Sequence, residues 1–382
     1  MIKASFGLSP RDRDEHHRVA TQLELFFDLA SVVAIAAAAH GLAHAIAANH
    51  AMDGLFAFTF SFFAIWWAWM NYTWFASAYD DAQPLFRIIT MLIIVGALIM
   101  AAGISELFEN RPILFVWFGF VVMRLGQITL WLMAARGDRH HRTTALRYAF
   151  GIVVAQLYWT FVFWGPEPGS TLFKVTFALG MVIELAVPAF AERANTTPWH
   201  RHHIIERYGL LNIIVLGEIM LAIVTALRKS SGDITLMNPL LHVAICAAVI
   251  TFSLWWAYFS REEHLQTQEL RRVLMWGYGH VIVFGAAAAL GAGFIVLIDV
   301  LTAHAQVGVR TGDIAVAIPL ALYLVGLWFI RDRYLGGGLR RHTLLVGAVA
   351  LLVAGFFLPA PLELMTAITV LSVIVRTRSV LS

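Results

Sequence analysis

Long apolar runs separated by short polar breaks dominate the chain. Val281–Ile298 contains no charged or amide side chain, and runs of similar character recur from residue 23 to residue 377. A strand of a membrane barrel alternates apolar and polar positions over about ten residues, whereas a helix crossing about 30 Å of hydrocarbon needs about 20 largely apolar residues in succession. The runs therefore predict helices, at 23–45, 52–75, 85–104, 112–135, 145–164, 170–190, 204–227, 239–260, 272–298, 313–331, 341–358 and 361–377. The last two come from one run, Arg341 to Val375, which as a single helix would reach about 52 Å at 1.5 Å per residue. Pro359 and Pro361 break it into a hairpin. The expected fold is an all-α membrane protein of about twelve transmembrane helices.

Composition agrees. Of 382 residues, 60% are hydrophobic and 13% charged, against roughly 45–50% and 25% in soluble proteins, and the mean hydropathy is +0.75. This excludes a soluble globular domain. The net charge of +3 and the scatter of basic residues among short loops exclude nucleic acid as a partner. A lone cysteine, Cys246, permits no internal disulfide and no thiolate metal cluster. Residues 1–22 form a polar segment with Arg11, Arg13, His16, His17 and Arg18 and no apolar core, so no removable signal peptide is expected. If this segment is cytoplasmic, 21 of the 27 Lys and Arg residues fall in inner segments, 5 fall in outer ones, and Arg124 alone lies within a span. That bias predicts a multi-pass protein of the cell inner membrane with both termini cytoplasmic.

The two halves resemble each other. Ile65-Trp66-Trp67-Ala68-Trp69 and Leu254-Trp255-Trp256-Ala257-Tyr258 hold the only Trp-Trp pairs in the chain. Glu24-Leu25-Phe26 resembles Glu206-Arg207-Tyr208, Ala102-Gly103 matches Ala292-Gly293, and Trp131 matches Trp328, at offsets that rise along the chain. We expect an N-terminal segment 1–22, a six-helix repeat at 23–190, a cytoplasmic linker at 191–203, and a second six-helix repeat in the same orientation at 204–382. Duplicated bundles of this kind are common among transporters, whose sites lie at the repeat interface near the bilayer midplane.

Ionisable groups inside a span are costly and are functional candidates by default. Glu24 and Asp28 are four apart on one helix face. Glu184, Arg124, Asn212, Glu218 and His280 fall within predicted spans, and Glu206 falls near an inner end. One arginine among several carboxylates suggests an ion-paired network centred on Arg124, which would either lock helices together or line a solute pathway. The other candidates carry less. His40 and His44 have helical metal-ligand spacing without a close acid, His140-His141 and His200, His202 and His203 lack thiolates or carboxylates beside them, and the tryptophan pairs suit packing or a cation's aromatic cage. No nucleotide loop, nucleophile elbow or His-Glu-x-x-His motif occurs, so no metal or cofactor is expected and ATP drive has no parts.

Four blocks carry a family resemblance. Glu24-Leu-Phe-Phe-Asp28-Leu, Glu206-Arg-Tyr-Gly-Leu-Leu with Ile-Val-Leu-Gly-Glu218, Leu254-Trp-Trp-Ala-Tyr-Phe259 and Tyr278-Gly-His280 resemble, in order, the motifs of the bacterial low temperature requirement protein A (LtrA) family. The resemblance implies that Glu24, Asp28, Glu206, Glu218 and His280 occupy motif positions; Tyr208 stands where the family usually has Phe. The family name describes growth in the cold and implies no chemistry. A fainter similarity, Phe27-Asp28, is to potassium channels whose six-helix repeat opens with Phe-Ser-Asp.

The expected function is a secondary transporter or channel for a small ion or polar solute, with the intramembrane carboxylates as the groups through which it could couple to protons. The alternatives are a structural or envelope-stress membrane protein without transport, and a membrane enzyme using His280 and Glu218 on a lipid-soluble substrate. Membrane lipid and the solute are the expected partners, and an oligomer is open.

Overall fold

The structure, a computed structural model, describes residues 6–16, 18–81, 83–230, 235, 238–260, 269–334 and 341–381. Lys3, Arg261 and Arg340, which are among the 21 inner basic residues, and His17 of the N-terminal segment lie outside the described residues. The helices are α1 (Gln22–Ala47), α2 (Ala51–Tyr79), α3 (Pro84–Ala102), α4 (Ile104–Phe108), α5 (Leu114–Gly137), α6 (Arg142–Trp164), α7 (Thr171–Ala191), α8 (Arg201–Lys229), α9 (Pro239–Phe259), α10 (Leu270–Leu301), α11 (Val309–Ile330), α12 (Thr343–Phe357) and α13 (Pro361–Leu381). A helix occupies each predicted span, and no strand occurs among the described residues. Ten of the described helical segments are long and apolar enough to cross a membrane. The chain is a multi-pass helical protein. The 15 residues of α12 reach only about 22 Å.

Local chemistry sets the helix ends. Thr21 and Glu24 form a reciprocal capping box at the start of α1: the Thr21 N–H donates to Glu24 Oε2 at 2.8 Å and the Glu24 N–H to Thr21 Oγ1 at 3.3 Å. Ser170 caps α7 through the Phe173 N–H, and Asn238 caps α9 through the Leu240 N–H with Pro239 next in line. Pro361 opens α13, so the Arg341–Val375 run bends as expected.

The residues form two compact units. Unit 1 comprises Met1–Ala38, Phe60–Tyr208 and Gln268–Leu274; unit 2 comprises Ala39–Thr59, Gly209–Thr267 and Met275–Ser382. In unit 1, α3 and α5 touch backbone to backbone. A Cβ on Gly119 would lie 2.4 Å from the Met100 nitrogen and 2.5 Å from the Gly96 oxygen, so only hydrogen fits there. Aromatic stacks fill the rest, Phe60 on Phe177 at 3.9 Å and Trp131 on Tyr148 at 4.1 Å. In unit 2, α11 packs on α12, α12 on α13 and α13 on α9. Arg376 of α13 is buried and grips Asp332 with two hydrogen bonds of 2.8 and 2.9 Å.

The polar N-terminal segment is a strap bound to the helix ends of unit 1. Leu8 is fully buried and its N–H donates to the Met133 carbonyl at 3.1 Å. The Arg11 N–H reaches the Ala78 carbonyl at 2.9 Å, and Arg18 Nη2 reaches that of Ala76 at 2.7 Å. Arg13 Nη2 donates to the carbonyls of Thr196 and Thr197 at 2.9 and 2.7 Å. Of these acceptors, Ala78 lies in the last turn of α2, where carbonyls lack helical partners, while Thr196 and Thr197 lie in the linker before α8.

Candidate functional site

Three arrangements of buried polar groups emerge in the spans. The first joins α1 to the start of α8 within unit 1. Arg207, 0% exposed, donates from Nη1 to Asp28 Oδ2 and from Nη2 to Asp28 Oδ1, both at 2.6 Å, and Trp69 Nε1 donates to Asp28 Oδ1 at 2.7 Å. One turn earlier on each helix, His203 Nε2 lies 3.1 Å from Glu24 Oε1. Both rungs join residues 179 positions apart. A constant offset over a four-residue step requires the two helical segments to run parallel. Asp28 has each oxygen bonded, and its charge is met by a bidentate guanidinium.

The second is centred on Glu184. Its Oε1 accepts from Arg124 Nη2 at 2.6 Å and Trp159 Nε1 at 2.9 Å, and its Oε2 accepts from Trp67 Nε1 at 2.8 Å. Arg124 lies over the Phe120 ring at 4.5 Å and also reaches Gln127 Oε1 at 3.3 Å. The expected network around Arg124 is therefore corrected: Arg124 serves Glu184, while Asp28 and Glu24 take Arg207 and His203. Placing a residue within a span does not say which helix its side chain faces.

The third lies in unit 2 and carries less charge. Asn212 is fully buried; its Oδ1 accepts from the Tyr323 hydroxyl at 3.1 Å, and its Nδ2 has no partner. His280 is buried, with Nδ1 2.8 Å from the Trp276 carbonyl and Nε2 3.1 Å from the Tyr258 hydroxyl. The carbonyl can only accept, so Nδ1 carries a proton, and in the neutral ring Nε2 accepts from Tyr258. Glu218 differs from every carboxylate above. It is 3% exposed, near the middle of α8, and has no hydrogen bond or ion pair among the described residues. The backbone of α10 presses on it, since a Cβ on Gly291 would lie 2.8 Å from Glu218 Cβ. Glu206 is half-buried with no charged partner among the described residues.

The weaker sequence candidates find local explanations. His141 Nδ1 lies 2.6 Å from Asp138 Oδ2, and Asp138 Oδ1 accepts the N–H groups of His140 and His141. His40 and His44 are both exposed. Trp66 and Trp67 are buried, whereas Trp255 and Trp256 are 47% and 57% exposed, so the matched pairs face different surroundings.

Outside the spans, two titratable groups sit under the strap. His200 precedes α8: its Nε2 lies 2.9 Å from the Glu15 carbonyl, and its Nδ1 accepts the His203 N–H at 3.2 Å. Burial, with Arg18, His202 and His203 nearby, holds its pKa below the ordinary 6.5. The unfolded chain then binds more protons than the folded one below about pH 6.5, so stability falls as pH drops through that value. His200→Asn, which keeps a capping side chain, is expected to flatten this fall in thermal unfolding scans at stepped pH. Asp80 is pushed up to about 6 by burial and by Glu24, against the pull of Arg18 and Arg11. Its charged form therefore costs stability above about pH 6 and costs nothing below its ordinary 3.8. Asp80→Asn is expected to add about 1–2 kcal/mol at neutral pH, the shift converted at 1.36 kcal/mol per unit and reduced for partial exposure. The same substitution should add nothing in strong acid.

Residues 19–376 match the family described as bacterial low temperature requirement A protein (LtrA). The chain belongs to the LtrA family. It is also similar to an uncharacterized protein of Rhizobium meliloti, 24% identical over 279 residues that make up 69% of this chain and 65% of that protein. The match thus spans less than two thirds of the relative's length. No solved structure matches the chain. Of the LtrA motif positions quoted above, Glu24 and Asp28 lie in the α1–α8 ladder, Glu218 and His280 lie in unit 2, and Glu206 stands apart from both.

Arg207 and His203 belong to the ladder, yet their sequence context places them with the inner-surface charges. A signal for them was present: Glu24 and Asp28 are spaced i, i+4, as are His203 and Arg207, a donor pair matching the acceptor pair. The Thr21-x-x-Glu24 pattern likewise marks Glu24 as a capping residue.

Proposed function

We propose that this LtrA-family protein is a secondary transporter or channel for a small ion or polar solute, with Glu218 as the group that takes the ion or couples to it. One observation carries the reading. Burying a carboxylate inside a span costs several kcal/mol unless a cation or donors compensate it. Glu24, Asp28 and Glu184 have such compensation, and Glu218 has none among the described residues. Its charge must then be met by something the site takes up. In this reading the pairs of unit 1 hold helices in place, and Glu24, Asp28, Arg124 and Glu184 act as structure. Asn212 and His280 belong with the polar groups of unit 2, and Glu206 lies near the inner surface.

The finer architecture is part of the proposal: twelve spans, both termini cytoplasmic in the inner membrane, and two six-helix repeats in one orientation. The excess of basic residues in alternate loops supports the termini. The parallel run of α1 and α8 supports the repeats, because spans alternate in direction and the five spans between them make α8 the seventh, the first of a second six-span unit. The test is flux in proteoliposomes, recorded on a solid-supported membrane with K⁺, Na⁺, H⁺ and small osmolytes in turn. A saturable signal that Glu218→Gln removes is expected. A signal unchanged in that variant would remove Glu218 from the pathway.

A further inference from the structure

Unit 2 holds a second buried acid that no hydrogen bond or ion pair meets among the described residues. Asp313 lies in the second turn of α11, is 6% exposed, and has no hydrogen bond or ion pair among the described residues. Arg310 and Glu363 are the charged groups near enough to act on it. Glu363 itself lies 3.0 Å from His242 Nε2.

The surroundings of the two acids constrain what they can bind. A metal cation is held by several converging oxygens, about six for Mg²⁺ and more for Ca²⁺, and K⁺ by rings of carbonyls that replace its water shell. Among the described residues, neither Glu218 nor Asp313 has a hydroxyl, amide or second carboxylate bonded to it, and no cluster of three metal-ligating side chains forms. Asn212, the nearest polar group before Glu218 on α8, is six residues and about 9 Å away along the helix. Its unbonded group is the Nδ2 donor, which repels a cation. Trp255 and Trp256 are half-exposed and so enclose no cation between them. A single carboxyl pressed by the α10 backbone has room to bind one proton and lacks the ligands to strip an alkali ion of its water.

We infer that the ion taken by Glu218 is a proton and that Asp313 is a second proton station of the same unit. This rests on the transport reading above. Protonation forms one O–H bond on the carboxylate and cancels its charge; release returns the same proton, and no other reactant is needed. Asp313, about 6 Å from the start of α11, is placed to exchange protons near that end, and Glu218 to hold them deeper.

The experiment uses full-length protein in liposomes carrying a trapped pH dye. With Na⁺ and K⁺ replaced by choline, the wild type is expected to dissipate an imposed pH gradient at an undiminished rate. Glu218→Gln should fall to the level of protein-free vesicles, and Asp313→Asn should slow the flux and shift its pH dependence. Infrared difference spectra between acidic and alkaline buffer should show protonated-carboxyl bands that each variant loses singly, a readout independent of transport. Flux of radioactive Na⁺ or Rb⁺ that Glu218→Gln abolishes, with no proton movement, would overturn the proton assignment and leave the transport reading standing. Silence of the wild type to every ion would overturn both. An Asp313→Asn variant identical to the wild type in flux and infrared bands would remove Asp313.

Discussion

Replacing Arg207 with alanine is expected to remove about 3–5 kcal/mol of stability, because it strands a buried carboxylate. Asp28 would lose both 2.6 Å bonds and keep only Trp69. The paired variant Asp28→Asn with Arg207→Met should recover most of that loss. Asparagine still accepts from Trp69, and no charge is left alone. Unfolding in mild detergent, followed by tryptophan fluorescence, checks both. A single and a double variant equally destabilised would mean that the side chains matter for shape and not for charge.

Glu218→Gln has the opposite signature. The amide has the size of the carboxyl and no charge, so the folded protein should be as stable as the wild type or more so, while flux falls to background. A buried group that stabilises the fold loses stability on substitution; a group kept for its chemistry loses activity alone. Read together, the two variants separate unit 1, where every buried acid of the spans described above is paired, from unit 2, where Glu218 and Asp313 are not.

The helices were legible because apolar runs of this length admit one interpretation in a membrane, and the Pro359–Pro361 break fixed the last hairpin. Azimuth was not legible. The sequence places Arg124, Glu184 and Asp28 within spans, and only the fold decides that Glu184 takes Arg124 while Asp28 takes Arg207. Arg207 was hidden by its neighbours: a linker rich in His and Arg runs straight into α8, which starts at Arg201, before the apolar run begins at residue 204. The strap had no signal, since its hold on the helix ends uses backbone groups and arginine donors without periodicity. Asp313 escaped notice because its helix begins at Val309, four residues before the predicted span, which makes a residue at the expected rim a buried one.

The central claim is that transport runs through Glu218 and that the paired charges of unit 1 are structural. It is tested most directly by comparing, in proteoliposomes with equal amounts of folded protein, the flux of Glu218→Gln with that of a double variant, Arg124→Met with Glu184→Gln. Glutamine at 184 keeps an acceptor for the tryptophans while the charge pair is removed. The expected result is silence in the first and flux close to the wild type in the second. Flux retained by Glu218→Gln and lost in the folded double variant would contradict the claim and move the pathway to unit 1.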